Sequence, residues 1–444
     1  MTDVLGVLAY LLIPLTGIGV WRLEFVRRMP IAARIAIATA AGSLVVALVM
    51  ATASLLHIEW SRGVLVTVFV VIAAVSVRLR PSPGLRPPSP RRGGERGHDV
   101  GTVILWLLTL YGTLTARESC GDLQFTWGPK AIRFVRAGGI DPNVLHTWPQ
   151  LTVDYPPLQT LLLAWSNTLS GHFSWWSAVL AAPLFFLATL AVIRTWSRDA
   201  LGTLLVAAAL AWGFALAYPA GCAEPPLLLF ETIAIAALTF ENNPKAQTFF
   251  AALGAAGAVW TKLEGTTFAI AVVVTILVVQ RNVKRALIVA APAAILIGSW
   301  LTFIHANGLM YMYRGAKMPI YFETLPVVLR TLAKVARFDL LWLPWIIAIV
   351  VIALGNIRRA LVPIAIALLT ACATVFFYIH YPDPVWWIES SSPRVILTPL
   401  LALLIGAVAA SDKVRAHGVV PQGKETEGSG READRDPGRP LGQV

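Results

Sequence analysis

Charge is scarce in this chain: of 444 residues only 14% are Asp, Glu, Lys or Arg, whereas 57% are hydrophobic. A soluble globular domain is roughly a quarter charged and about half apolar, so the balance argues against a soluble fold. The mean hydropathy of +0.69 points the same way. Cysteine is scarcer still. Three cysteines in no metal-ligand spacing argue against a zinc site or a disulfide framework. There is no GxxxxGKS/T phosphate loop and no dinucleotide fingerprint, which argues against a cytoplasmic nucleotide motor. The short alternating segments of an outer-membrane barrel are also missing.

What the chain does have is apolar runs. Stretches of about 18 or more apolar residues recur along it, each long enough to cross a hydrocarbon core of roughly 30 Å. They predict an all-α polytopic membrane protein of about thirteen transmembrane helices, at about 4–21, 31–56, 63–77, 100–115, 175–193, 201–218, 224–240, 248–260, 266–280, 286–304, 338–354, 360–378 and 394–411. Two of these, 63–77 and 248–260, are short and must extend into their flanks. The first run, Val4 to Trp21, has no basic residue before it and no small-residue cleavage site after it, so it reads as a retained span.

The formal charge is +12, yet Lys and Arg sit mostly in short loops between apolar runs, a pattern of topology and not of nucleic-acid binding. Arg22, Arg27 and Arg28 follow the first run; Arg78, Arg80, Arg86, Arg91, Arg92 and Arg96 fill a Pro/Gly/Arg-rich loop. Arg194 with Arg198, Arg281 with Lys284 and Arg285, and Arg358 with Arg359 come later. All lie in the cytoplasm if 156–170, which begins Pro156-Pro157 and carries Gln159, Ser166 and Asn167, is a helix at the outer interface and not a crossing. The N-terminus is then outside and the C-terminus inside, with a polar, Gly/Pro-rich tail from about Ser411 expected to be disordered.

This topology places outside the loops at about 116–155, 305–337 and 380–393 and the turns 219–224 and 261–265. From Gln124 to Val135, apolar Phe125, Trp127, Ile132 and Val135 alternate with Lys130, Arg133 and Arg136, as in a headgroup-plane helix facing lipid phosphates with its basic side. Asp122, just before it, is either a carboxylate held at the membrane surface or the helix N-cap. Glu224 opens a span and Glu231 lies seven residues deeper on the same face, about 10 Å down. A carboxylate within a span faces a cavity or a partner, so Glu231 is either packed and paired or catalytic. Lys262 and Glu264 form a pair that binds a phosphate, orients the loop carboxylates, or is a plain solvated turn. Arg394 opens the last span on the outside, against the positive-inside trend, for phosphate recognition or by snorkelling. The 305–337 loop ends in VVLRTLAKVARF, where Val328, Leu329, Leu332, Val335 and Ala336 form one stripe and Arg330, Lys334 and Arg337 the other, as in an interfacial amphipathic helix, preceded by Tyr311, Tyr313 and Tyr321. Cys120 and Cys222 sit two residues before Asp122 and Glu224, so the two turns are candidates to adjoin and to be disulfide-linked.

The order of GDLQFTWGPKA, DYPPLQTLLLAW, GCAEPPLLLF, TKLEG and SSPRVILTP resembles the GT-C superfamily of polytopic glycosyltransferases, such as the protein O-mannosyltransferases and lipid A aminoarabinose transferases. The resemblance covers residues 100–400 and divides the chain into three extra spans with a basic loop (1–99), a GT-C-like catalytic core (100–304), a variable transmembrane region (305–410) and the tail (411–444). It implies transfer of a sugar from a polyprenyl-phosphate donor to a glycan, lipid or protein acceptor, outside the cell membrane and without a nucleotide. Asp122 and Glu224 would be the catalytic carboxylates, although relatives usually carry Asp at the second position. Lys130, Tyr155, Lys262, Glu264 and Arg394 would bind substrate, with Arg394 and Lys262 stabilising the charge that develops on the leaving phosphate. Some relatives place a divalent metal between such carboxylates and others do not. The competing functions are a lipid or small-molecule transporter or flippase, for which Glu231 is the one buried charge, and a non-catalytic scaffold.

Overall fold

A computed structural model describes residues 2–78, 93–115, 120–146, 154–217, 220–309, 319–338, 340 and 342–411. Every regular element among them is helical. Most of the basic loop after Arg78, Tyr311 and Tyr313, and the tail beyond Ser411 lie outside the described residues.

The chain opens with α1 (Thr2–Thr16), a short α2 (Glu24–Arg27), α3 (Ile31–Leu55) and α4 (Arg62–Arg78). After α5 (Gly93–Thr115) the first long connection holds a π-helical turn (Leu123–Trp127), α6 (Gly128–Arg136), α7 (Pro142–His146) and α8 (Leu158–Ser170). A run of long helices follows: α9 (Trp175–Ser197), α10 (Ala200–Ala217), α11 (Glu224–Phe240), α12 (Pro244–Thr261), α13 (Leu263–Val278) and α14 (Val283–Ala306). The last part contains α15 (Leu325–Phe338), α16 (Trp342–Leu354), α17 (Ile357–Tyr378), α18 (Pro384–Val395) and α19 (Leu397–Ser411).

Local chemistry sets several of these boundaries. The Ser174 hydroxyl accepts from the Ser177 amide to start α9, and Asn243 accepts from the Lys245 and Ala246 amides ahead of Pro244 to start α12. Gly171, at φ +82°, closes α8 in the left-handed conformation that glycine adopts at no steric cost.

Among the described residues, six helices are long and apolar enough to cross a membrane: Asp3–Arg22, Ile31–Leu55, Trp175–Ser197, Val283–Ala306, Ile357–Tyr378 and Pro384–Ser411. A seventh is present if Phe322–Arg337 and Trp342–Leu354, bent by 95°, are counted together. Several other apolar runs carry helices that are shorter, such as α13 with 16 residues, about 24 Å of rise. The exposed aliphatic side chains of α14 (Val283, Leu287, Ile295) and α16 (Ile346, Ile349, Val350) suit contact with lipid.

The centre of the bundle is α11, apolar all round and buried along almost its whole length against α9, α12 and α19. α12 reaches it closely because Gly254 and Gly257 face it: a Cβ on Gly257 would overlap the Phe230 ring, and one on Gly254 the Phe230 carbonyl. α8 is too short to cross, at 13 residues or about 20 Å. Gln159 near its start donates to the Gly221 carbonyl before α11, while Ser166 near its end bonds Gly6 of α1 and Ser177 of α9. It is buried in protein by these contacts, with nearly every side chain covered. Its polar residues serve these contacts.

Overpacking of a tight core costs about 1–3 kcal/mol and more where backbone must move. Gly257→Val should therefore lower the thermal midpoint of the purified protein by several degrees, whereas Gly298→Ala, in the interior of α14 with open space around it, should hold or slightly raise it.

Candidate functional site

At the end of the bundle where α11 begins, five charged side chains from four separate parts of the chain meet. Asp122 follows α5, Glu224 is the first residue of α11, Lys262 sits between α12 and α13 with Glu264 in the first turn of α13, and Arg394 is in the last turn of α18. Lys262 Nζ lies 2.9 Å from Glu224 Oε1 and 2.9 Å from Glu264 Oε1. The Arg394 guanidinium donates to Asp122 Oδ2 and comes within 3.7 Å of Glu224 Oε1. Three carboxylates thus share two cations, an arrangement that pairs the charges burial would otherwise penalise.

The turns are stapled. Cys120 and Cys222 form a disulfide with Cα atoms 6.0 Å apart across 102 residues of sequence, and the Cys120 amide donates to the Ala220 carbonyl at 3.1 Å. Each cysteine is two residues from an acid of the cluster, so the bridge fixes Asp122 against the start of α11.

Exposure separates the roles of the acids. Glu224 is only 3% exposed and is bound by both cations, whereas Asp122 is 35% exposed with one cation partner. Asp122 precedes a helical turn without capping it: its side chain makes no cap hydrogen bond, and it pairs with Arg394 instead. Snorkelling does not describe Arg394 either, since its side chain is 17% exposed and aimed at carboxylates. Lys262 is not in a solvated turn. Burial works against its charge, but the Glu224 and Glu264 carboxylates hold its ammonium above the ordinary lysine range.

Two other expected substrate-binding residues, Lys130 and Tyr155, pack against each other. Lys130 is fully buried and does not face lipid phosphates; its ammonium donates to the Tyr155 carbonyl at 3.4 Å and lies 5.6 Å over the Trp300 ring. The amphipathic spacing misled because α6 is covered by α8 and by the Asp154–Tyr155 segment, which Trp300 anchors by donating to the Asp154 carbonyl at 3.0 Å. Arg133 is half-buried and Arg136 is exposed. Burial pulls Lys130 down to about 7, against the nearby Asp154 carboxylate. Tyr155 packs edge-on against Trp127. Burial, followed by Glu264 and Asp122, raises its hydroxyl well above the ordinary value, keeping it a neutral donor near the cluster.

Glu231, two turns below Glu224, is fully buried and accepts from the Thr398 hydroxyl at 2.8 and 3.0 Å. This is the packed and paired alternative. Sequence reasoning passed over Thr398, although it lies four residues from Arg394 on the same helical face; it also passed over Asp154. A divalent ion does not suit this donor set. Cys120, Asp122 and Cys222 approach one another within 4.8 Å, but the sulfurs are spent in the disulfide and a guanidinium already occupies Asp122.

The lowered lysine has a stability consequence. Folding lowers the Lys130 value from 10.5 to about 7, so the unfolded chain binds more protons between those limits. Stability should therefore rise as pH climbs from about 7 towards 10.5, and the thermal midpoint of Lys130→Met, measured alongside, should lose that component of the rise. No protein-family model, no curated protein and no solved structure matches this chain, so the account of its site rests on its own geometry.

Proposed function

We propose that the chain is a membrane glycosyltransferase that moves a sugar from a polyprenyl-phosphate donor to a glycan, lipid or protein acceptor on the extracytoplasmic face of the cell membrane. The observation that carries this reading is the juxtaposition of a half-exposed carboxylate, Asp122, with the guanidinium of Arg394, backed by the buried Lys262–Glu224 pair. Its wider frame is the thirteen-span topology with residues 100–304 as a GT-C-like core.

The chemistry is a single displacement at the anomeric carbon. The acceptor oxygen forms a bond to that carbon while the bond to the donor phosphate breaks, and the phosphate leaves with the electron pair. The acceptor hydroxyl proton passes to the Asp122 carboxylate, as general-base catalysis requires. Arg394 stabilises charge developing on the phosphate, which a planar fork of donors does well. Arg394 also couples the two tasks. Paired with Asp122 it weakens that carboxylate as a base; turning to an incoming phosphate, it frees Asp122 to accept a proton. Glu224 acts by positioning, since it holds Lys262 and Arg394 at once and has almost no access to solvent. Tyr155 supplies a neutral donor at the edge of the cluster, and Glu264 holds the outer side of Lys262.

The transport alternative points to Glu231, and that carboxylate is fully buried and accepts from the Thr398 hydroxyl.

Asp122→Asn removes the base and keeps the shape. Transfer should fall by about 10²-fold or more, with accumulation of the lipid-phosphate sugar in a strain carrying only the variant and with normal membrane expression. A wild-type rate in that variant removes Asp122 as the base.

A further inference from the structure

Away from the acidic cluster, α15 presents two unlike faces. Arg330, Lys334 and Arg337 recur at helical spacing, are all exposed, and with Ala333 line a depression of about 580 Å³. The opposite face turns Leu332, Val335 and Ala336 towards a cavity of about 320 Å³, lined also by Trp342, Trp345 and Val375. Ala333 lines both spaces, so a single small residue separates the cationic rim from the apolar interior. A volume of this size is at the lower end of ligand pockets, roughly 300–1,000 Å³.

The cavity wall is almost wholly apolar, with two hydroxyls. That of Thr374 is satisfied by the Thr370 carbonyl at 3.0 Å. Ser392, which is 1% exposed, has a hydroxyl with no hydrogen-bond partner among the described residues. A buried hydroxyl left unpaired is costly, and an oxygen atom of a bound molecule would satisfy it.

This cavity is not part of the Asp122 site. Ser392 and Ile396 lie one turn apart and both line it. Arg394 lies two residues from each, about 200° around the helix, and points the other way to Asp122 and Glu224. The α18–α19 helix therefore stands between the cavity and the cluster.

We propose that α15, with α16, α17 and the α18–α19 junction, forms a second, non-catalytic site for an anionic membrane phospholipid. Its phosphate headgroup rests on Arg330, Lys334 and Arg337, and one acyl chain enters the cavity beneath α15. Three cations around one depression match a phosphate. The adjoining apolar cavity, together with exposed Phe322, Val327 and Leu329 on the same stretch, selects a lipid over a free anion. The 95° angle between this stretch and α16 is that of a headgroup-plane helix meeting one that enters the bilayer. Lys334 also pairs with Glu389 at 3.3 Å, but both side chains are well exposed, so the pair is weak and the lysine can turn to a phosphate.

The test is native mass spectrometry of the purified full-length protein in detergent, with phosphatidylglycerol or phosphatidylcholine added and no sugar donor present, so its outcome is independent of glycosyl transfer. The wild type should retain phosphatidylglycerol about tenfold better than phosphatidylcholine. The triple variant Arg330→Gln, Lys334→Gln, Arg337→Gln should lose about tenfold of that retention. Ala371→Trp, which fills the cavity from α17, should lower retention of both lipids, while Asp122→Asn should retain them as the wild type does. Equal retention by the wild type and the triple variant overturns the proposal, and this arm decides it even if Ala371→Trp fails to fold, because the three replaced side chains are on the surface. Displacement of the lipid by millimolar inorganic phosphate also overturns it, leaving only an anion site. Loss of binding in Asp122→Asn overturns the separation from the cluster.

Discussion

The site is organised by one guanidinium. Arg394 touches Asp122 from the first long connection and approaches Glu224 at the head of the central helix, although the three are far apart in sequence. With so little water at Glu224, removing its cations would leave a buried charge uncompensated, a loss of about 3–5 kcal/mol. The fold around it must therefore deliver a cation to that point, and it does so twice, with Arg394 from one side and Lys262 from the other. The disulfide and the Gln159–Gly221 hydrogen bond then hold the backbone of the two turns in register.

A second rung lies below. Thr398 bonds Glu231 one turn deeper on α19, so α11 and the α18–α19 helix are tied at two levels. The acids are seven residues apart, about 10 Å of rise, whereas Arg394 and Thr398 are four apart, about 6 Å. The difference is taken up by side-chain length: a long arginine reaches up to the outer rung and a short threonine serves the inner one. Glu231 thereby has a structural task that helps fix where Arg394 projects, and Asp122 is the most exposed acid of the cluster.

Much of this was legible in the chain. The apolar runs located the helices, and charged residues at the turns between them singled out Asp122, Glu224, Lys262, Glu264 and Arg394, which the structure brings together. Other features depend on tertiary cover that no spacing reports. Lys130 sits in a pattern of alternating basic and apolar residues that describes an interfacial helix, yet the Asp154–Tyr155 segment folds over it and Trp300 closes the space. The polar residues of α8 suggested a lipid interface, but they serve contacts to Gly6, Ser177 and Gly221 inside the protein. Thr398 carried no signal except its phase relative to Arg394.

The most direct test of this organisation is a double-mutant cycle on Asp122→Asn and Arg394→Gln, read as unfolding free energy in mixed detergent. If the two side chains form the pair described, the cycle should return a coupling of about 1.5 kcal/mol or more, within the range of contacting charge pairs. Effects that add within roughly 0.5 kcal/mol would mean that the residues do not meet, and would contradict the account.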